Sequence, residues 1–133
     1  MAKSKIKATF QSDTETVWSA VTSLYGYHWR SDIERIEVAK PGVRLIEHTK
    51  SGIATEFTIT EIVPYKRYAF YMENANICGH WLGAFCNTPK GTEIDFTEDI
   101  TAKNIFMKPF VKLYLKKQQT TYIRDLRCSL GEG

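Results

Sequence analysis

A chemical reading of this sequence turns on Glu98. Along Thr92–Thr101 it alternates with Ile94, Phe96 and Ile100, so a strand there carries a carboxylate on the same face as three apolar side chains. Facing inward, the group would lose its water and its pKa would rise, making it a candidate acid, base or ligand anchor. A bulge or a strand end would instead let it reach water or an Arg or Lys partner. Glu93, Asp95 and Asp99 beside it read as a solvated acidic face. Tyr68, Gln119 and Tyr122 are neutral polar groups able to meet the oxygen atoms of a ligand, or simply to reach solvent or backbone. Around them the alternation places Phe57, Ile59, Phe70, Met72, Trp81, Phe85, Ile94 and Phe96 on inward strand faces, Leu115 on a helix, and Phe106 and Phe110 at that helix's start as a gate or plug. Such a set suits an apolar small-molecule pocket with a few polar handles. Taken as a pattern alone, it suits a solid aromatic core at least as well. Gly79 and Gly83 share a strand face with Trp81 and Phe85, where they leave space and permit curvature.

Other chemistries lack their residues. His28, His48 and His80 are isolated, and Cys78-x-His80 offers two ligands about 7 Å apart on one strand face. A zinc site needs three or four converging ligands, so neither a metal nor a cofactor is expected. Cys78 and Cys86 are separated by eight residues, about 26 Å along one strand, too far to bridge. There is no G-x-S-x-G, no cysteine with an evident histidine orienter, no P-loop and no G-x-G-x-x-G. No catalytic residue is firm; Glu98 is a weak candidate, and binding is favoured over catalysis.

These residues need elements to position them. The 133 residues suit one domain, 1–133, large enough for a core without disulfide or metal support. Aromatic content is high at 13%, from seven Tyr, seven Phe and three Trp. A net charge of +3 is too small to predict nucleic-acid binding. No apolar run reaches the roughly 20 residues of a membrane span, and the N-terminus lacks a signal-peptide core. An odd number of cysteines without CxxC spacing favours reduced thiols and a cytoplasmic location.

Residues 4–11 alternate as a half-buried strand. Ser12 and Glu15 read as a capping box opening a short helix over about 13–24, with Val17, Val21 and Leu24 on one face. A second short turn of helix is compatible with 27–32, where Trp29 and Arg30 either shape a mouth or plug the core. Six strands then follow in succession: Ile33–Ala39, Val43–Thr49, Ile53–Val63, Arg67–Glu73, Ile77–Asn87 and Thr92–Thr101, an antiparallel meander. From about 108 the period returns to helical. Val111, Leu115, Tyr122, Leu126 and Leu130 form one face, and Lys112, Lys116, Lys117, Arg124 and Arg127 form a basic face best read as solvated.

This order, with Ser12–Trp18, Trp29, Ile62-Val63-Pro64, the Gly91-Thr92 strand start and the long terminal helix, resembles the START/Bet v 1-like (SRPBCC) superfamily, including the bacterial polyketide cyclase/dehydrase and lipid transport type. The resemblance covers nearly the whole chain. It implies an α+β helix-grip fold: a strongly curved seven-stranded antiparallel sheet around a long C-terminal helix, with one or two short helices after the first strand and a hydrophobic cavity between sheet and helix. It therefore favours a cavity over a solid core. It does not imply one activity. The expectation is a monomer or homodimer that binds a hydrophobic or amphipathic small molecule such as a lipid, isoprenoid or polyketide-like compound. No nucleic acid is expected, and docking at a membrane surface is a minor reading of the basic helix face. The competing expectations are a cyclase or dehydratase with acid/base groups in the cavity, and a cochaperone-like interaction domain.

Overall fold

The computed structural model describes residues 2–132. Strand β1 (Ala2–Phe10) is followed by helix α1 (Thr14–Thr22). Six further strands come next: β2 (Ile33–Lys40), β3 (Arg44–Thr49), β4 (Ala54–Val63), β5 (Arg67–Glu73), β6 (Ile77–Thr88) and β7 (Gly91–Ala102). A 3-10 turn (Ile105–Met107) leads into helix α2 (Lys108–Ser129). The strands form one antiparallel sheet in the order β1-β7-β6-β5-β4-β3-β2. Short turns make each meander pairing local, and the first strand returns to pair with the last. Seven strands and the long helix match the helix-grip architecture expected from the sequence.

Two local expectations are corrected. Residues 27–32 form turns rather than a second helix. The cap of α1 is Asp13 instead of Ser12: its carboxylate accepts from the Thr16 backbone N–H at 2.8 Å, and the Thr16 hydroxyl together with that N–H holds its pKa below the ordinary carboxylate value. Ser12 is occupied elsewhere. Its N–H and hydroxyl both donate to Glu132, at 3.0 and 2.7 Å, and the Gln11 N–H donates to the same carboxylate at 2.6 Å. The chain's last turn thus fastens the start of α1.

Strict alternation in β7 buries Thr92, Ile94, Phe96, Glu98, Ile100 and Ala102 on one face. That face meets Val111, Leu115, Gln119, Ile123 and Leu126 of α2. The β6–β7 pairing brings backbones unusually close at Gly79, where any Cβ would lie 2.1 Å from the Asp99 carbonyl oxygen. At Gly83 a Cβ would strike the Trp81 ring at 2.5 Å. The room left by Gly83 is taken by Trp81 itself, which folds along its own strand.

Candidate functional site

The interior divides into a filled part and a hollow part. A cavity of about 110 Å³ lies between the sheet, the segment after α1, and the middle of α2. Its floor is built from cross-strand rows. Glu98 of β7 is paired with Trp81 of β6, and Trp81 with Phe70 of β5. Beside that row lie Ile6, Phe96 and Tyr68 on one flank and Met72, Phe57 and Leu45 on the other. The aromatic rings touch in sequence: Phe57 on Phe70 edge-on at 4.8 Å, Phe70 stacked on Trp81 at 4.8 Å and 3°, Trp81 against Phe96 at 4.7 Å, and Phe96 against Tyr122 at 6.0 Å. Val21, Leu24, Tyr27, Trp29 and Arg30 close one side, and Gln118, Gln119 and Tyr122 of α2 close the other.

Nine of the residues expected at the site line this cavity: Phe57, Tyr68, Phe70, Met72, Trp81, Phe96, Glu98, Gln119 and Tyr122. Five do not. Phe85, Ile94 and Leu115 are buried in the filled part, Ile59 packs beside the core without reaching the cavity, and Phe110 projects outward from α2. Phe106 is likewise exposed, so neither phenylalanine closes the cavity as a gate or plug. Alternation correctly gave the face for the strand residues. It could not tell whether the space behind that face is filled.

Glu98 is 5% exposed and makes no ion pair. Its Oε2 is buried without a hydrogen-bond partner. Desolvation alone pushes its pKa up to about 7. Across the cavity stands a pair for which the sequence held little signal. Arg30 Nη1 donates to Glu47 Oε2 at 2.9 Å, and Nη2 lies 3.6 Å from Asp32. The guanidinium also sits over the Tyr122 ring, 5.1 Å from its centroid. Burial works against the Arg30 charge most strongly of any single cause, but Glu47, Tyr122 and Asp32 together outweigh it and the pKa ends above the ordinary arginine value. Arg30 and Glu47 belong to a loop and a strand 17 positions apart, with no periodic relation to mark them. The only warning in the sequence was the Trp29-Arg30 dipeptide in that loop.

The loop is anchored. The Ser31 N–H and hydroxyl both donate to Asp125 Oδ2 of α2, at 2.8 and 2.7 Å, and Trp29 packs edge-on against Tyr122 at 5.2 Å. Even so, the Trp29 indole N–H and the Arg30 Nε–H, both buried, have no partner. Burial pushes the Tyr68 hydroxyl up to about 12 and raises Tyr122 still further, so both phenols stay neutral donors at ordinary pH. The cavity is therefore lined by an aromatic body, by two residues of one wall that carry buried unpaired donors, and at the floor by a carboxyl group whose pKa is pushed up to about 7.

Two other places are chemically quieter. A shallow depression at Thr9, Phe10, Gln11, Lys90, Arg127 and Glu132 has its carboxylate already held by three donors. Among the described residues no three His, Cys, Asp or Glu side chains converge to hold a metal, and Cys78, Cys86 and Cys128 are free thiols. No helix of the described residues is long and apolar enough to cross a membrane.

No family model matches the sequence, and no curated protein matches it either. Solved structures do. A START superfamily protein from Mycobacterium smegmatis superimposes with a TM-score of 0.83 at 12% identity, over 98% of this chain and 97% of that one. A protein from Mesorhizobium loti gives 0.79 at 15% identity, over 97% and 96%. A protein of the dynemicin biosynthetic locus gives 0.78 at 10% identity, covering 98% of this chain and 48% of that one. With sheet order, grip helix and superposition in agreement, the chain has the START-like, SRPBCC helix-grip fold.

Proposed function

We propose that the cavity binds one compact amphipathic molecule, with a ring or short apolar body on the aromatic floor and oxygen acceptors turned toward Trp29 and Arg30. The observation that carries this reading is the gathering of three unpaired buried polar atoms, Trp29 Nε1, Arg30 Nε and Glu98 Oε2, on residues lining one cavity. Such atoms cost about 1–3 kcal/mol each when left unmatched. A ligand carbonyl or carboxylate facing the two N–H groups, and a hydroxyl facing Glu98, would satisfy all three. Size narrows the class. Apolar cavities of roughly 150 Å³ take up a single benzene ring, so about 110 Å³ suits a small ring or the head of a longer molecule extending through the mouth. A lipid, isoprenoid or polyketide-like compound enters whole only if Leu24, Tyr27 or the aromatic floor moves aside. The aromatic floor and the unpaired donors make oxygenated aromatic compounds the first set to try.

The test is a thermal-shift and native mass-spectrometry screen of phenolic acids, short-chain fatty acids and isoprenoid alcohols. A hit is expected to lose affinity about tenfold or more in Trp29→Phe, which deletes the N–H while keeping an aromatic ring. A panel without any shift, or a ligand indifferent to both Trp29→Phe and Glu98→Gln, overturns the reading.

Glu98 favours a second reading, acid/base catalysis on the bound molecule, because a carboxyl titrating near 7 is matched to proton transfer at neutral pH. Turnover of a bound ligand by the native chain, abolished in Glu98→Gln, is its expected sign.

A further inference from the structure

The first two turns of α2 are apolar on both sides. Val111 and Leu115 face the sheet. On the opposite side Phe110, Leu113 and Tyr114, spaced i, i+3, i+4, stand in solvent and continue a cluster begun by Ile105, Phe106 and Met107. Phe106 is 82% exposed, Leu113 74% and Phe110 65%. A helix that is apolar all round is normally buried all round, and contiguous exposed apolar patches mark docking sites. The other exposed large apolar residues form smaller groups: Ile62, Val63 and Tyr65 gather at the β4–β5 turn, and Tyr25 and Val43 stand singly.

Charge selects the occupant. From Lys103 to Arg124 the sequence holds Lys103, Lys108, Lys112, Lys116 and Lys117 and not one Asp or Glu. Lys103 is paired with Glu73, and Lys116 donates to the Lys5 carbonyl oxygen. Lys108, Lys112 and Lys117 have no carboxylate partner among the described residues. Two of these lysines sit in the opening turns of a helix whose first turn has no acidic residue and no side-chain cap, so they add to the positive end of its dipole. The carboxylate near Tyr114 outside the cavity, Asp32, is drawn toward Arg30. A second copy of this chain, docked about a two-fold axis, would bring like-charged lysines face to face. An anionic bilayer would accept the phenylalanines at its interface and the lysines at its headgroups together.

We infer that the Ile105–Lys117 surface is a membrane-docking patch for anionic lipid bilayers. Phe106, Phe110 and Leu113 enter the interfacial zone, and Lys108, Lys112 and Lys117 meet the headgroups. Phe110 and Tyr114 also begin an i, i+4 row that continues through Gln118 to Tyr122, both of which line the cavity. The inference does not depend on the cavity having a ligand.

The experiment is co-sedimentation of the full chain with phosphatidylserine/phosphatidylcholine vesicles and with pure phosphatidylcholine vesicles. Binding is expected to the anionic vesicles only. It should weaken at least tenfold near 1 M salt, where the screening length falls to about 3 Å. Phe106→Ser/Phe110→Ser and Lys112→Glu/Lys117→Glu should each lower the partition by roughly an order of magnitude or more. All four positions are exposed, and an unchanged far-UV circular dichroism spectrum and melting curve verify that the variants fold. No binding to anionic vesicles overturns the inference. So does equal binding to neutral vesicles, or a dimer in sedimentation velocity that Phe106→Ser/Phe110→Ser dissociates.

Discussion

The two parts of the interior treat their polar groups differently. Under the β1–β7 edge the core is filled: Phe10, Ile94, Ile100, Leu115, Leu126 and Val17 are all but inaccessible, and the buried hydroxyls beside them, Ser4 and Thr92, are matched. The Thr92 hydroxyl donates to the Ser12 carbonyl at 2.9 Å, and at the boundary with the cavity the Ser4 hydroxyl donates to Gln119 Oε1 at 2.8 Å while Gln119 Nε2 returns a bond to the Ser4 carbonyl. Around the cavity, three buried polar atoms have no partner among the described residues. The fourth such atom in the described residues, Asp95 Oδ1, belongs to a carboxylate whose other oxygen pairs with Lys5. Folding therefore matches its polar groups where packing is the only task. Around the cavity three such groups stay unmatched.

The largest expected effect sets the contrast directly. Leu126→Ala should cost about 3 kcal/mol, because the filled part leaves a cavity behind. Leu24→Ala, at the wall of an existing cavity, should cost under about 1 kcal/mol. Urea unfolding measures both, and equal costs would break the distinction. Next comes Glu98. Its folded pKa of about 7 lies above the ordinary 4.5, so folding favours the protonated form. That contribution is complete below about pH 4.5 and disappears as pH rises through 7. The native chain should therefore lose about 3 kcal/mol relative to Glu98→Gln between pH 4.5 and 8, seen as diverging urea midpoints. Parallel midpoints would mean that water or a cation reaches the carboxylate. Ser4→Ala should cost about 1–2 kcal/mol by unpairing Gln119. Smallest of all, Trp29→Phe should change stability by under about 0.5 kcal/mol, since relief of the unmatched N–H offsets the packing lost with the smaller ring. A large loss there would show that the indole N–H is already satisfied.

The difference between the two parts also explains what the sequence could reveal. Period-two alternation put Glu98 on the inward face with Ile94 and Phe96, and period 3.6 put Gln119 and Tyr122 on the inner side of α2. Both rules report direction. They do not report the distance to the opposite wall, so Ile94 and Leu115 belong to the solid part while Phe96 and Gln119 reach open space. Arg30 with Glu47, and Ser31 with Asp125, are tertiary pairs between a loop and elements distant in the chain, and no local rule connects them. Phe110 was misplaced for a related reason. Its helix carries two apolar stripes, and only tertiary packing decides which of them the sheet receives.

The aromatic contacts along the floor have an optical consequence. Two of the three tryptophans, Trp29 and Trp81, line the cavity, and Tyr122 bridges them through its contacts with Trp29 and with Phe96, which in turn touches Trp81. Excitation absorbed by Tyr122 or Tyr68 passes over these short separations to an indole before it is emitted. Part of the intrinsic fluorescence thus comes from the cavity walls, while Trp18, 6.0 Å from Tyr68, emits from the core beside them. A quenching or coloured guest would dim the wall emission from both ends of the cavity at once, giving the molecule a built-in reporter of occupancy.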